Sequence, residues 1–176
     1  MNNITRMPLI IIAMLAVPAF GQKSTWTIDP VHTQATFQAR HLSITTIRGS
    51  ISNVAGTVDL TPNDPSQDSV VATLDVTTVN TANDYRDTTL KGEDFFNVSK
   101  YPQIIFKSTS VKKSASGYEV IGSLTIAGVT KPVILKAESP AAPQKGMEGE
   151  TVTGCRQQPR SNAATSTSAR SIQSPW

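Results

Sequence analysis

The stretch Tyr118-Glu119-Val120-Ile121-Gly122-Ser123-Leu124-Thr125-Ile126 sets Tyr118, Val120, Gly122, Leu124 and Ile126 against Glu119, Ser123 and Thr125. Successive side chains of a β-strand point to opposite faces, so a period of two over this length describes a strand with one face buried and one in water. The same alternation recurs where Ala35, Phe37 and Ala39 interleave with Thr36, Gln38 and Arg40. Further strands are expected over 25–29, 44–51, 54–61, 69–79, 102–111 and 131–138, separated by turn-formers such as Thr61-Pro62-Asn63-Asp64-Pro65 and Ser114-Ala115-Ser116-Gly117. Residues 82–96 depart from the pattern. There Tyr85, Thr89 and Leu90, then Phe95 and Phe96, fall at spacings that suit one or two short helices, with Asn83 or Asp84 as the cap of the first.

An antiparallel set of this kind hides its edges by packing as a sandwich or closing into a barrel, and the barrel is the expectation. The fold class is therefore all-β, an antiparallel barrel with one or two short helices. Its inward face would carry Phe37, Val58, Leu74, Val76, Ile104, Phe106, Leu124, Ile126, Val133 and Leu135, mixed with the small residues Gly56, Ala72, Ser108 and Gly122. Small residues among large apolar ones are compatible with a cavity, and small barrels are also found filled by their own side chains. The pattern leaves both open.

Composition narrows the function. The chain has 176 residues and a net charge of +3, but residues 22–138 hold 11 cations and 11 carboxylates, so the body offers no basic face and no nucleic-acid partner is expected. One cysteine and two histidines supply neither a disulfide framework nor a Cys/His zinc site. Arg6 precedes an apolar run over 8–17 that is short for a membrane span, and Ala19-Phe20-Gly21 places small residues where a signal peptidase reads them. Residues 1–21 are thus expected to be a cleaved signal peptide, which gives a secreted, periplasmic protein; an uncleaved anchor is the alternative.

Several blocks in order carry a family resemblance. Trp26-Thr27-Ile28-Asp29-Pro30-Val31-His32-Thr33 is followed by Phe37 and His41, then by Arg86-Asp87 with Leu90-Lys91 and Asp94-Phe95-Phe96-Asn97. Tyr101-Pro102, Phe106-Lys107-Ser108, Gly122-Ser123-Leu124-Thr125 and Gly128-Val129-Thr130-Lys131-Pro132-Val133 complete the set. Over residues 25–138 the chain resembles the YceI-like family of bacterial periplasmic proteins. The resemblance implies a lipocalin-like barrel whose elongated apolar tunnel holds a polyisoprenoid chain, an isoprenoid quinone precursor or a fatty amide, by binding and carriage rather than catalysis. The lining would be Phe37, Val58, Leu74, Val76, Leu90, Phe95, Phe96, Ile104, Phe106, Leu124, Ile126, Val133 and Leu135, with His41, Arg86 and Lys91 at the mouth. No cofactor or metal is expected beyond that isoprenoid or lipid ligand. A transient membrane contact and a homodimer are compatible with such a carrier.

Other motifs weigh little. Arg86-Asp87 and Glu93-Asp94 suggest an acid/base pair but lack a third partner, and carboxylates beside short helices cap them or pair with cations. Asp94 before Phe95-Phe96 fits a cap that lets the aromatic pair seal the barrel. His32 and His41 read as neutral, hydrogen-bonded histidines; two histidines and a carboxylate are the alternative, a metal set. Ser110-Val111-Lys112-Lys113 matches the S-x-x-K of penicillin-interacting enzymes, but that chemistry needs one helical turn and this stretch alternates as a strand. No nucleophile, base and orienting group come together, so the chain is not expected to be an enzyme.

Beyond Glu138 the composition turns rich in Ser, Thr, Ala, Gln and Pro, with Met147, Val152, Ile172 and Trp176 too sparse for strands. The resemblance supplies further strands here. Joining the third base of each codon to the first two of the next, across residues 153–168, permits Leu-Ser-Ala-Thr-Thr-Thr-Ile-Gln-Arg-Arg-Asp-Phe-Asn-Ile, close to the strand the family carries. Residues 139–176 are therefore expected to be disordered and, from about Gln144 or Met147, out of frame, leaving an incomplete domain over 22–138 without its closing strands; a natural low-complexity tail is the alternative. Two functions follow, an exported carrier of a long-chain amphiphile or an exported interaction module with a filled or truncated barrel.

Overall fold

The computed structural model describes residues 22–156 and the strand over 165–174. The expected signal peptide lies outside the described residues. Eleven strands form one antiparallel sheet: β1 (Ser24–Ile28), β2 (Thr33–His41), β3 (Thr45–Ile51), β4 (Val54–Leu60), β5 (Ser69–Asp75), β6 (Gln103–Ser114), β7 (Gly117–Ile126), β8 (Val129–Ala137), β9 (Gln144–Lys145), β10 (Thr151–Arg156) and β11 (Thr165–Ser174). The spatial order is β3-β2-β11-β1-β4-β5-β6-β7-β8, with β10 pairing β11 and β9. Past β8 the backbone N–H of Glu138 donates to the carbonyl of Arg156 at 2.8 Å, and that of Ala141 to Gly154 at 2.8 Å. A path of backbone hydrogen bonds thus returns from β8 through β10 and β11 to β1, and the sheet is an antiparallel barrel.

The C-terminal strands correct the expectation of a tail without strands. Thr165–Ala169 pair with β2 and Ile172–Gln173 with β1, so β1 and β2 follow one another along one edge of β11 and β10 takes the other. Sparse apolar residues were a poor guide, because Thr and Val suit a pleated backbone and a strand supplied with donors and acceptors on both sides needs few apolar contacts of its own.

Inward positions on the central strands follow the alternation. Ile104, Phe106, Val111 and Val120 are buried, and Val70, Ala72 and Leu74 pack against the same interior from one face of β5. β6 keeps its inward face across a bulge between Ser108 and Ser110, which shifts register so that Val111, rather than residue 110, turns in. β5 stops short of the expected 79. The Asp75 carboxylate accepts from the Thr77 backbone N–H at 3.0 Å and starts a 3₁₀ turn over Val76–Thr78, which still buries Val76.

One helix, α1 (Asp84–Lys91), stands in 82–96. Asn83 is its cap, its side chain accepting from the Arg86 N–H at 2.9 Å, and Asp84 and Asp87 fall in the first turn with Lys91 in the last. No second helix follows. The chain turns after Gly92, which leaves Phe95 54% exposed while Phe96 packs inside. The expected sealing by both aromatics is therefore made by Phe96 alone.

At the opposite end, Asp59 accepts from Thr25 Oγ1 at 2.7 Å and Ser69 Oγ at 2.8 Å and pairs with Lys23 at 3.0 Å. These donors, Thr25 foremost, hold its carboxyl below the ordinary aspartate value of 3.8. Such a group contributes stability above its unfolded pKa and loses that contribution as pH falls through the lowered folded value. Nearby Asp68 is pushed the other way by desolvation while accepting from the Thr61 N–H at 2.6 Å.

Two outcomes are expected. Gly56 has φ +149° and a Cβ there would stand 2.0 Å from the Val71 carbonyl oxygen, so Gly56→Ala should lower unfolding free energy in urea by on the order of 3 kcal/mol. Asp59→Asn should flatten the acid limb of the stability curve, so that the difference from wild type, measured by thermal melts between pH 6 and pH 2, shrinks as pH falls below about 4.

Candidate functional site

Among the described residues three groups of buried side chains lie inside the sheet, and they are continuous. Ile51, Val76, Val79 and Ile104 gather Phe37, Leu74, Leu90, Phe96, Val98 and Leu124. Ile28, Ala35 and Val54 gather Val58, Ala72 and Leu74. Phe106, Val111 and Val120 gather Val70, Ala72, Tyr118, Leu124, Val133 and Leu135. Leu74, Ala72 and Leu124 each belong to two groups, so one apolar surface runs the length of the interior.

Most of the residues expected to line a tunnel are brought together here: Phe37, Val58, Leu74, Val76, Leu90, Phe96, Ile104, Phe106, Leu124, Val133 and Leu135. Phe95 and Ile126 are not among them. Both stand exposed at one end, Ile126 because it is the last residue of β7 before the turn at Ala127 and Gly128. The expected lining missed Ile28, Ile51, Val54, Val79, Val111 and Val120. Carrying the alternation of Tyr118, Val120, Gly122 and Leu124 into the lining would have found Val120; the bulge hid Val111 and the 3₁₀ turn hid Val79.

The interior is apolar yet incompletely covered. Val58, Val70, Ala72, Leu74, Leu124, Val133 and Leu135 point inward on central strands and are only half-buried, whereas Phe106, Val54 and Val76 beside them are sealed. Small inward residues account for the difference. Gly56 faces Ala72 across the β4–β5 ladder, so that strand pair adds little side-chain volume, while the ring of Phe106 fills the space over Gly122. An apolar chain entering there would be held by about 25 cal/mol for each Å² of apolar area it removes from water.

The three expected mouth residues part company. Arg86 is committed to Thr81: its Nε donates to Thr81 Oγ1 at 2.7 Å and its Nη2 to the Thr81 carbonyl at 2.8 Å. Buried Asp87 clasps the same residue, accepting from the Thr81 N–H at 2.9 Å and from its hydroxyl at 2.5 Å. The Arg86-Asp87 pair thus fastens α1 to the segment crossing the edge of β3, where Ser50 and Asn80 exchange backbone hydrogen bonds of 2.8 and 2.9 Å. Lys91 borders a polar recess of about 340 Å³ with Thr77, Asn80, Asp84 and Thr88, outside the apolar interior. His41 is exposed at the end of β2, paired in register with Thr45. His32, by contrast, has Nδ1 2.6 Å from Asp29 Oδ2, and Asp29 Oδ1 accepts from the Val31 N–H at 2.8 Å, which fixes the bend between β1 and β2. Burial raises the Cys155 thiol to about 11, so it is protonated at neutral pH. Among the described residues no group of three His, Cys, Asp or Glu side chains is placed to hold a metal ion, and no helix is long and apolar enough to cross a membrane. Ser110 and Lys113 lie on β6, a strand.

A family model described as the YceI-like domain matches residues 26–165, which carries the likeness beyond Glu138, where composition had ended it. A UPF0312 protein of Yersinia pestis is 35% identical over 140 residues, 78% of this chain and 73% of its own. The crystal structure of a Campylobacter jejuni YceI protein has a TM-score of 0.56 at 31% identity, covering 69% of this chain and 71% of that one. A polyisoprenoid binding domain from Saccharophagus degradans shares the fold, with a TM-score of 0.52 at 10% identity over 88% of this chain and all of its own (100%). With its barrel, its apolar interior and a match over most of its length, the chain belongs to the YceI-like family.

Proposed function

We propose that this protein binds a long-chain isoprenoid or other lipid amphiphile in the apolar interior of its barrel and carries it outside the cytoplasm, without chemical change to the ligand. The observation that carries this reading is the row of inward Val, Leu and Ala side chains on β4, β5, β7 and β8 that remain half-buried beside sealed neighbours. Apolar side chains inside a filled core are close-packed, and accessible surface left on them is a place for another apolar molecule. The family and the fold shared with a polyisoprenoid binding domain support the ligand class. Export rests on residues 1–21, whose charged start, apolar run and small-residue end are those of a secretory signal. The interior offers few polar groups, so selection would act on chain length and girth more than on the head group.

The out-of-frame reading beyond about residue 144, by a real frameshift or a sequencing error, stays with this proposal; a denatured mass equal to that of residues 22–176 removes the error version, and the lining named above comes wholly from residues before it.

The reading is tested by organic extraction of the purified protein followed by lipid mass spectrometry. Wild type is expected to yield an apolar lipid near one equivalent. Ala72→Trp, which fills the space between Gly56 and Phe106 at a cost of about 1–3 kcal/mol, is expected to yield little. Extracts of wild type with no more lipid than a filled control protein would leave the interaction module as the function.

A second outcome concerns stability. Adding a saturating alkyl amphiphile, at about 100 times its Kd, should stabilise delipidated wild type by about 2.7 kcal/mol, and leave the melting curve of Ala72→Trp where it was.

A further inference from the structure

Strand direction sorts the connections into two ends. β11 is antiparallel to both β1 and β2, β4 lies antiparallel between β1 and β5, and β6 between β5 and β7. Strands β1, β2, β5 and β7 therefore run the same way, and the β2–β3 tip, the segment with α1 and the β7–β8 tip share one end. That end carries most of the large apolar side chains that face water: Leu42 (75% exposed), Ile44 (80%), Phe95, Tyr85, Ile126 and Val129. Among the described residues the others lie singly, Val71 on β5 and Ile134 on β8 on the sheet's outer face, Val31 in the β1–β2 bend and Met147 between β9 and β10. The β4–β5 connection at the far end is Thr61-Pro62-Asn63-Asp64-Pro65-Ser66-Gln67-Asp68.

The β2–β3 tip exposes its apolar residues against local preference. Leu42 (φ 50°) and Ser43 (φ 61°) both have positive φ in a two-residue turn closed by the Ile44 N–H on the His41 carbonyl at 3.0 Å. Asn and Gly suit such a turn, and a leucine there gains nothing from the fold that would offset its backbone strain and exposure. Charge accompanies it. Residues 30–58 and 120–137, which contain both hairpins, have no Asp or Glu but have Arg40, Arg48, Lys131 and Lys136. Arg40 and Arg48 share the outer face of the hairpin, since Arg48 pairs with Gln38. The α1 segment between, 79–101, has four carboxylates and three cations. On the inner face Ala39 pairs with Ile47, so an apolar track leads from the tip to Phe37 and the interior.

We infer that this end docks on an anionic lipid bilayer, with Leu42, Ile44 and Val129 entering the interface and Arg40, Arg48 and Lys131 facing lipid phosphates. Apolar tips flanked by cations suit that partner, since apolar area and attraction to anionic lipid both add to interfacial binding. The inference rests on the carrier reading and adds to it the surface where the ligand changes hands.

Flotation with vesicles tests it, using the full exported protein, vesicles of phosphatidylcholine alone and vesicles with phosphatidylglycerol. Wild type should bind the anionic vesicles, less so at high salt, and the neutral ones weakly. The triple variant Leu42→Asn, Ile44→Thr, Val129→Thr should lose about tenfold or more in partitioning, and Arg48→Gln with Lys131→Gln about fivefold per charge. Thermal midpoint and extracted lipid should be unchanged in the triple variant, because Asn suits positive φ and none of the three residues lines the interior. Absence of wild-type binding, equal binding to neutral vesicles, binding that survives the substitutions, or a tip variant that only dissolves a dimer would each overturn the inference. Vesicle binding by a protein that yields no lipid on extraction would defeat the carrier reading alone.

Discussion

The constraint on which the structure depends is that a strand's side chains alternate while its backbone groups need partners on both sides. In a barrel the two demands are met together. Closing the hydrogen-bond path from β8 through Glu138, Arg156 and β11 back to β1 leaves one continuous inner face, mostly apolar over the described side chains of β4 to β8. The inner residues are then chosen by size alone. Phe106 and Ile104 seal one part, the Phe106 ring lying over Gly122, while Gly56 and Ala72 withhold volume from another. A mostly apolar interior of uneven depth is the result, and the proposed seat for an apolar ligand rests on that unevenness, since the same fold can also fill itself.

Much of this was legible in residues. Tyr118–Ile126 and Ala35–Ala39 announce the period, and most of the expected lining lies inside. What was hidden was hidden by local geometry. The Asp75 side chain turns the chain at Val76, so an alternation that reads on to 79 ends early yet still delivers Val76 and Val79 to the core. The extra residue at Thr109 moves Val111 inward against strict parity. Phe95 and Phe96 look equivalent in sequence, and only the turn after Gly92 decides that one packs and the other faces water.

The polar residues of the α1 segment show the same limit from the other side. Arg86 and Asp87 carry the strongest chemical suggestion in the sequence, yet both are spent on Thr81, where they fasten the helix across the β3 edge. Nothing in their spacing distinguishes a clasp from a ligand-binding pair, because Thr81 becomes their partner only through the Ser50–Asn80 bridge. Family membership reached further along the chain than composition did, since strands β9 to β11 rest on backbone pairing that a low-apolar segment can satisfy.

The central claim, that the interior is a seat for an apolar ligand, is tested most directly by intact mass spectrometry of protein purified from the exported fraction, under native and then denaturing conditions. The account predicts a native mass that exceeds the chain by one lipid and returns to the chain's own mass on denaturation. Identical masses under both conditions would show an interior filled by its own side chains and contradict it.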